Sequence, residues 1–291
     1  MNPGWRSLLF APADDQVRLA KVASRGADAV ILDLEDAVPP ARKAAALAGL
    51  PETAAGLAAQ GCAVVVRINA GWRAVMAELP VVVQPDVAAI MVPKVESAER
   101  LAVLAEMIVE LAEEASMSAP PGIIALLESP AGIAEADRIA AVRGVAGLAL
   151  GTEDFSLALG VPPTREALEL PCRLIALAAA RHGLMALGLP VSIATVEDGK
   201  VWAEGVRSAR ATGMTGALCI HPRQIEPVNT GFAPSSAEIE TARRVLDAWE
   251  SANGAGVIML DGKMIDRPVI LAAERLIARA VKGKRERSLC P

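Results

Sequence analysis

The chain has 291 residues, is 53% hydrophobic and 22% charged, and carries a formal net charge of −5. That length suits one large domain or two ordinary ones, and the mild acidity argues against nucleic acid as a partner. Aromatic residues are only 2% and tyrosine is absent, which argues against base-stacking platforms; no apolar run approaches the roughly 20 residues of a membrane-spanning helix.

In chain order, "MNPGWRSLLFAPADD" has too short an apolar stretch for a secretory signal, and its centre predicts a strand over 6–10. A helix follows near 15–25. Further strands are predicted at 29–33, 63–67, 88–92, 123–127, 147–150, 191–194 and 217–220. Helical patterns lie between them near 41–60, 97–116, 131–141, 164–182 and 199–213, and the gap at 72–84 is short and less clearly helical. Strand, helix, strand without hairpin signals means parallel pairing. The strands are almost continuously apolar, as expected when both faces are covered. Eight such units predict an α/β fold, a (β/α)8 TIM barrel. A doubly wound open sheet is the competitor, weakened because no strand runs into a glycine-rich phosphate turn.

Beyond the eighth strand, "FAPSSAEIETARRVLDAWESA" predicts a helix capped by Ser235 or Ser236. "GAGVIMLDGKMIDRP" predicts a small hairpin around Asp261-Gly262, and "VILAAERLIARAVKGK" a final amphipathic helix. The division expected is a barrel over 1–225 and a C-terminal extension over 226–291. This extension is too small for a core of its own and should serve as a lid or oligomerisation segment. The basic "KGKRER" is expected to be a solvated tail.

The four cysteines, Cys62, Cys172, Cys219 and Cys290, have neither zinc-ligand nor redox spacing. Cys62 and Cys219 sit in apolar runs as small core residues. The only histidines are His182 and His221, so a histidine-rich metal site is excluded. The expectation is a soluble cytoplasmic protein with reduced thiols.

Chemistry in such barrels sits at the C-terminal strand ends. There the sequence places Asp33, Glu35 and Asp36, then Arg67 and Asn69, then Lys94 and Glu96, then Glu128, then Glu153 and Asp154, and finally His221. Three carboxylates within four residues near a core repel and are desolvated. A surplus of hard oxygen donors with few histidines suits Mg2+, and a cation with nearby Arg and Lys would neutralise the cluster. Each residue has a simpler alternative. Glu128 could cap the next helix, and Asp154 could be a helix N-terminal acid. Asp33 reads as structural, bonded to backbone amides. Arg67 is a carboxylate fork or a salt-bridge partner. Lys94 either binds substrate or pairs with Glu96, and His221 reads as a turn residue before proline.

These residues also carry a resemblance. "RSLLFAP", "ADAVILDLEDAVPPARK", "VVVRINA", "VPKVES", "LLESPAGI", "LALGTEDF", "IHPRQIEPVNTGFAPSSAEI" and "DGKMIDRPVILAAERL" resemble, in that order, the citrate lyase beta-subunit family, which includes malyl-CoA and citramalyl-CoA lyases. The resemblance runs from about Trp5 to Ala280. It implies a (β/α)8 barrel, a homotrimer, and Mg2+ held at Glu128 and Asp154. It implies that Arg67 grips a keto acid, that Glu35 and Asp36 order metal-bound water, and that Asp266 handles the acyl-carbon proton across a subunit interface. Asp266 also reads as an N-cap before Pro268. The implied activity is Mg2+-dependent carbon–carbon cleavage of a carboxylated 3-hydroxyacyl coenzyme A thioester, giving an α-keto acid and an acyl-CoA. The alternatives are a citrate lyase subunit acting on an acyl-carrier-protein thioester and a related thioester hydrolase or synthase. Ala13, Leu47, Trp202 and Ala217 depart from the family pattern, where glycine, arginine, aspartate and lysine are usual.

Overall fold

Eight short apolar segments become the parallel strands β1 (Ser7–Pro12), β2 (Ala29–Asp33), β3 (Ala63–Arg67), β4 (Ala89–Val92), β5 (Gly122–Leu127), β6 (Val145–Leu150), β7 (Met185–Leu187) and β8 (Ala217–Cys219). The structure is a computed structural model that describes residues 2–252 and 256–289, with side chains as far as residue 280. Strand order follows the chain from β1 to β7, and β8 returns to pair with β1. A parallel bridge between Leu187 and Gly216 joins β7 to β8 and completes the (β/α)8 barrel.

The two-residue period of the strands divides the core. Leu8, Ile31, Val65, Met91, Ile124 and Leu187 belong to one buried cluster inside the barrel. Their alternating neighbours Leu9, Val30, Leu32, Val66, Ile90 and Leu148 join a second cluster with the surrounding helices. These helices are α1 (Gln16–Val22), α2 (Lys43–Ala58), α3 (Trp72–Val82), α4 (Ala98–Glu114), α5 (Pro130–Ala134), α6 (Ala136–Ala140), α7 (Thr152–Leu159), α8 (Arg165–His182), α9 (Gly199–Ala211) and α10 (Ile225–Phe232). Several begin at side-chain caps: Asp15, Ser97, Ser129, Thr164 and Asp198 each accept a backbone N–H of the first turn.

The seventh strand is not at 191–194, as the apolar "VSIA" predicts, but at Met185–Leu187. Helix α8 ends at Gly183, and the chain enters the barrel at once. A three-residue strand is too short to show a period. The 191–194 stretch is instead a loop, tied down where the Ile193 N–H donates to Thr152 Oγ1 at 3.2 Å. The segment at 72–84 is helical, and the expected helix at 131–141 is divided at Glu135 into α5 and α6.

By its contacts the chain forms two compact units, one reaching Phe232 and one starting at Ala233. The second contains α11 (Ser236–Ser251), the antiparallel hairpin of β9 (Ile258–Leu260) and β10 (Lys263–Ile265), and α12 (Arg267–Leu289). Ser235 and Glu238 form the capping box of α11. Contrary to expectation, this segment buries a small core of its own: Ala242, Val245, Ile265, Ile270 and Ala273, with Trp249 and Leu276 packed against it. The side chains of the basic 282–287 stretch, and Cys290, lie outside what the structure describes. Among the described residues no helix is long and apolar enough to cross a membrane.

Barrel closure leaves no room at Gly216. A Cβ there would lie 2.5 Å from the Arg6 carbonyl oxygen and 2.7 Å from that of Trp5. Gly216→Ala should therefore destabilise the protein by about 1–3 kcal/mol in denaturant titration, as overpacking does. Gly56→Ala, inside α2 with nothing near its added methyl, should instead stabilise by about 0.5–1 kcal/mol. Equal effects of the two would show that Gly216 is not a closure point.

Candidate active site

The acidic run after β2 is held by one arginine. The register of β2 and β3 sets Asp33 beside Arg67. Arg67 Nε and a terminal nitrogen each donate to Asp33 at 2.7 Å, a bidentate fork. Asp33 also accepts the backbone N–H of Glu35 at 2.9 Å and of Ala37 at 3.1 Å, which fixes the turn carrying Glu35 and Asp36. The structural reading of Asp33 is thus realised. The other terminal nitrogen of Arg67 lies 3.1 Å from Glu35 and 3.4 Å from Asp36. The guanidinium also sits over the Phe10 ring, 5.0 Å from its centroid. Burial works against the arginine's charge, but the hydrogen bonds and charge of Asp33 more than compensate and raise its pKa.

Lys94 does not pair with Glu96, which accepts from Ser129 Oγ instead. Lys94 lies beyond β4 in a left-handed conformation, φ 53°, unusual outside glycine and a mark of local strain. That backbone aims its N–H at Glu128 Oε2, 2.9 Å away, while Nζ reaches Glu35 Oε1 at 2.7 Å. One residue therefore orders two carboxylates from different strand ends. The hydrogen bond that Lys94 donates to Glu35 raises the Lys94 pKa and favours the ammonium.

Glu128 is 7% exposed and does not cap α5; Ser129 does. Burial, opposed by the Lys94 N–H and reinforced by the charges of Glu35 and Asp154, pushes its pKa up to about 7. Gly151, in the β6–α7 connection, makes room for it. A Cβ at 151 would meet Glu128 Cγ at 2.6 Å and Oε1 at 2.7 Å. Asp154 stands in the first turn of α7, and among the described residues no hydrogen bond or ion pair holds its carboxylate. Glu153 accepts from Ser192 at 2.7 Å.

Arg67, Asp33, Asp36, Glu128, Glu153 and Asp154 line one cavity of about 440 Å³ at the C-terminal mouth, with Phe10, Leu126, Ile193 and Leu218 as apolar wall. Arg18, paired with Asp15 at 3.0 Å, also borders it and was not anticipated. Nor was Glu78, 6% exposed, whose carboxylate accepts from the Asn69 backbone and side chain while Lys43 donates to Asn69. Burial raises the Glu78 pKa. Only Glu78's place on the buried face of α3 would have singled it out. His221 is a turn residue, its Nδ1 accepting the Arg223 N–H. Of the departures from the family pattern, Trp202 is buried, with its indole N–H on the Gln224 carbonyl at 3.2 Å, and Ala217 is buried in β8. Cys172 and Cys219 are buried, and burial pushes both thiols up to about 12.

Asp266 belongs to the second unit. It joins β10 to α12 and accepts the Val269 N–H at 3.4 Å, a weak N-cap contact.

Among the described residues no set of three or more His, Cys, Asp or Glu is arranged as a metal cage. Glu128 and Asp154 nevertheless both line one cavity, and among the described residues neither carboxylate forms a salt bridge. A small octahedral cation uses one or two carboxylates and fills its remaining positions with water and substrate, and the donor set fits that pattern.

The model of the HpcH/HpaI aldolase/citrate lyase family matches residues 6–222. A citrate lyase subunit beta-like protein of Mycobacterium tuberculosis is 37% identical over 294 residues, covering 98% of each chain. A (3S)-malyl-CoA thioesterase of Cereibacter sphaeroides is 33% identical over 291 residues, covering 95% of this chain and 94% of that protein. The crystal structure of CitE from Mycobacterium tuberculosis, in complex with magnesium, acetoacetate and coenzyme A, superposes with a TM-score of 0.75 at 33% identity, over 96% of this chain and 99% of the other. With three-quarters of its length matched by the family model and its barrel shared with these relatives, the chain is a member of the HpcH/HpaI aldolase/citrate lyase family.

Proposed function

We propose that the protein is a Mg2+-dependent carbon–carbon lyase that cleaves a carboxylated 3-hydroxyacyl-CoA of the citryl, malyl or citramalyl type into an α-keto acid and an acyl-CoA. The observation that carries this reading is the single cavity that Glu128, Asp154 and Arg67 line together. Support comes from the relative crystallised with magnesium, acetoacetate and coenzyme A.

Glu128 and Asp154 would hold the cation. When bound, Mg2+ supplies Lewis acidity toward the substrate carboxylate and hydroxyl and compensates the acidic rim. Arg67 keeps two donors on Asp33 and presents its third nitrogen, with its full charge, to the keto-acid side. Glu35 and Asp36, steadied by Arg67 and Lys94, are the groups near which the hydroxyl proton leaves. Lys94 spends one donor on Glu35, so its first task is positioning, and its remaining N–H groups are left for substrate. Breaking the bond moves its electron pair onto the acyl α-carbon as a thioester enolate. Asp266, supplied by a neighbouring chain of a trimer, would return a proton to that carbon.

A thioester hydrolase is the second reading, favoured by the similarity to (3S)-malyl-CoA thioesterases. A carrier-protein thioester as substrate is the third, favoured by 33% identity to a citrate lyase subunit beta of Haemophilus influenzae.

Incubated with a panel of hydroxyacyl-CoAs and Mg2+, the protein should release keto acid and acyl-CoA in equal amounts, and chelation should stop it. Free coenzyme A thiol without keto acid would establish the hydrolase. Silence toward every CoA ester, with turnover of a carrier-protein ester, would establish the third reading.

A carboxyl whose folded pKa of about 7 exceeds its unfolded value of 4.5 binds more protons folded than unfolded between those pH values. Metal-free stability should therefore fall as pH rises from 5 to 7, by up to about 3 kcal/mol at order of magnitude. Glu35 and Glu78, also raised, add slope of the same sign. Mg2+ needs the ionised form, so its stabilisation should grow over the same window. Glu128→Gln should flatten the metal-free slope and abolish Mg2+ binding in calorimetry; an unaltered slope and affinity would remove Glu128 from the site.

Glu128→Gln and Asp266→Asn should each be inactive but folded. Co-refolded in equal amounts, they should recover about a quarter of wild-type activity if rim and tail come from different chains. No recovery in verified mixed oligomers would sink the shared site.

A further inference from the structure

Helix α8 carries an apolar stripe that nothing among the described residues covers. Leu170, Leu174 and Leu177 are 62%, 37% and 69% exposed, while the opposite face, with Leu168, Cys172, Ile175 and Ala179, is buried. At about 100° per residue, Glu166, Leu170, Arg173, Leu174, Leu177 and Arg181 share one face of the helix. A lone exposed leucine needs no explanation, but three in register on one face of a helix do.

The order of residues along this stripe is self-complementary. The midpoint lies between Arg173 and Leu174. Leu170 and Leu177 stand equally far on either side of it, and so do Glu166 and Arg181. Run antiparallel against a copy of itself, the stripe sets each Leu170 opposite a Leu177, each Leu174 opposite an Arg173 stem, and each Glu166 opposite an Arg181. The polar groups tolerate this. Arg173 is bound to Glu169 of its own helix at 2.6 Å, so its charge is compensated and its methylenes remain for packing. Arg181 binds Asp137 through one terminal nitrogen at 2.8 Å, and its other donors remain for a second carboxylate.

We propose that α8 is an isologous contact surface whose partner is α8 of a second copy of this chain, packed antiparallel across a two-fold axis. Such a contact pairs the same patch on both chains. One leucine stripe per chain is smaller than the roughly 800 Å² per partner of a standard stable interface, so the association is reversible and concentration-dependent. The surface is separate from the catalytic rim and does not depend on the lyase reading.

Analytical ultracentrifugation tests this. The wild type should reach, with rising concentration, an even number of chains: two, or twice any ring it also forms. Leu170→Glu and Leu177→Glu lie on exposed positions and should keep the fold, checked by circular dichroism. Each should raise the dissociation constant of the even-numbered species at least about tenfold, as loss of a central apolar contact does. Glu166→Arg alone and Arg181→Glu alone should each weaken it, and the double variant should regain it, because a two-fold restores both pairs. A wild type that remains an odd-numbered species or a monomer throughout overturns the proposal. So do leucine variants that associate like wild type, and charge variants that weaken association without rescue in the double.

Discussion

The rim depends on the ion pair between Asp33 and Arg67. Asp33 is 1% exposed and Arg67 8%, and neither charge would be tolerated there alone. Their fork ties the ends of β2 and β3, and the second lone pairs of Asp33 fix the turn that carries Glu35 and Asp36. Arg67 then lends its remaining nitrogen to those two acids. From Glu35 the order passes through Lys94 to Glu128. The carboxylates at the ends of β2 and β5 are thus linked through two cations at the ends of β3 and β4, while Glu153 and Asp154 stand outside this linked chain.

Much of this was legible. Seven of the eight strands stand where a short apolar run meets turn residues, because a buried parallel strand has no other composition available. The strand at Met185–Leu187 was lost because three residues carry no period. The acids were legible as a set, since strand ends in this architecture form one rim. Their wiring was not. That Arg67 spends its fork on Asp33, or that Lys94 adopts a left-handed backbone to reach Glu128, depends on register and local dihedral angles that residue types do not record. Glu78 was missed for a related reason: a lone acid in an apolar helix looks like any solvated charge until its face is seen to be buried.

The C-terminal segment corrects a different kind of inference. Its length argued against an independent core. The α11 and α12 helices and the hairpin nevertheless bury a cluster centred on Val245, Ile265 and Ile270. The Asp261-Gly262 turn, with φ of 50° and 76°, fixes the hairpin, and Arg244 pairs with Asp261 at 2.6 Å. Local turn chemistry and capping thereby do part of what a larger core does elsewhere.

The separate cores have a spectroscopic consequence. With no tyrosine and four tryptophans, the ultraviolet emission of the chain is tryptophan emission alone. Trp5, Trp72 and Trp202 belong to the barrel unit, whereas Trp249 belongs to the C-terminal unit and packs against its core. Trp202 is fully enclosed and hydrogen-bonded, so it emits from an apolar setting while the barrel is intact. A Trp249→Phe chain would therefore report barrel melting alone, and its difference from the parent would give the melting of the smaller unit.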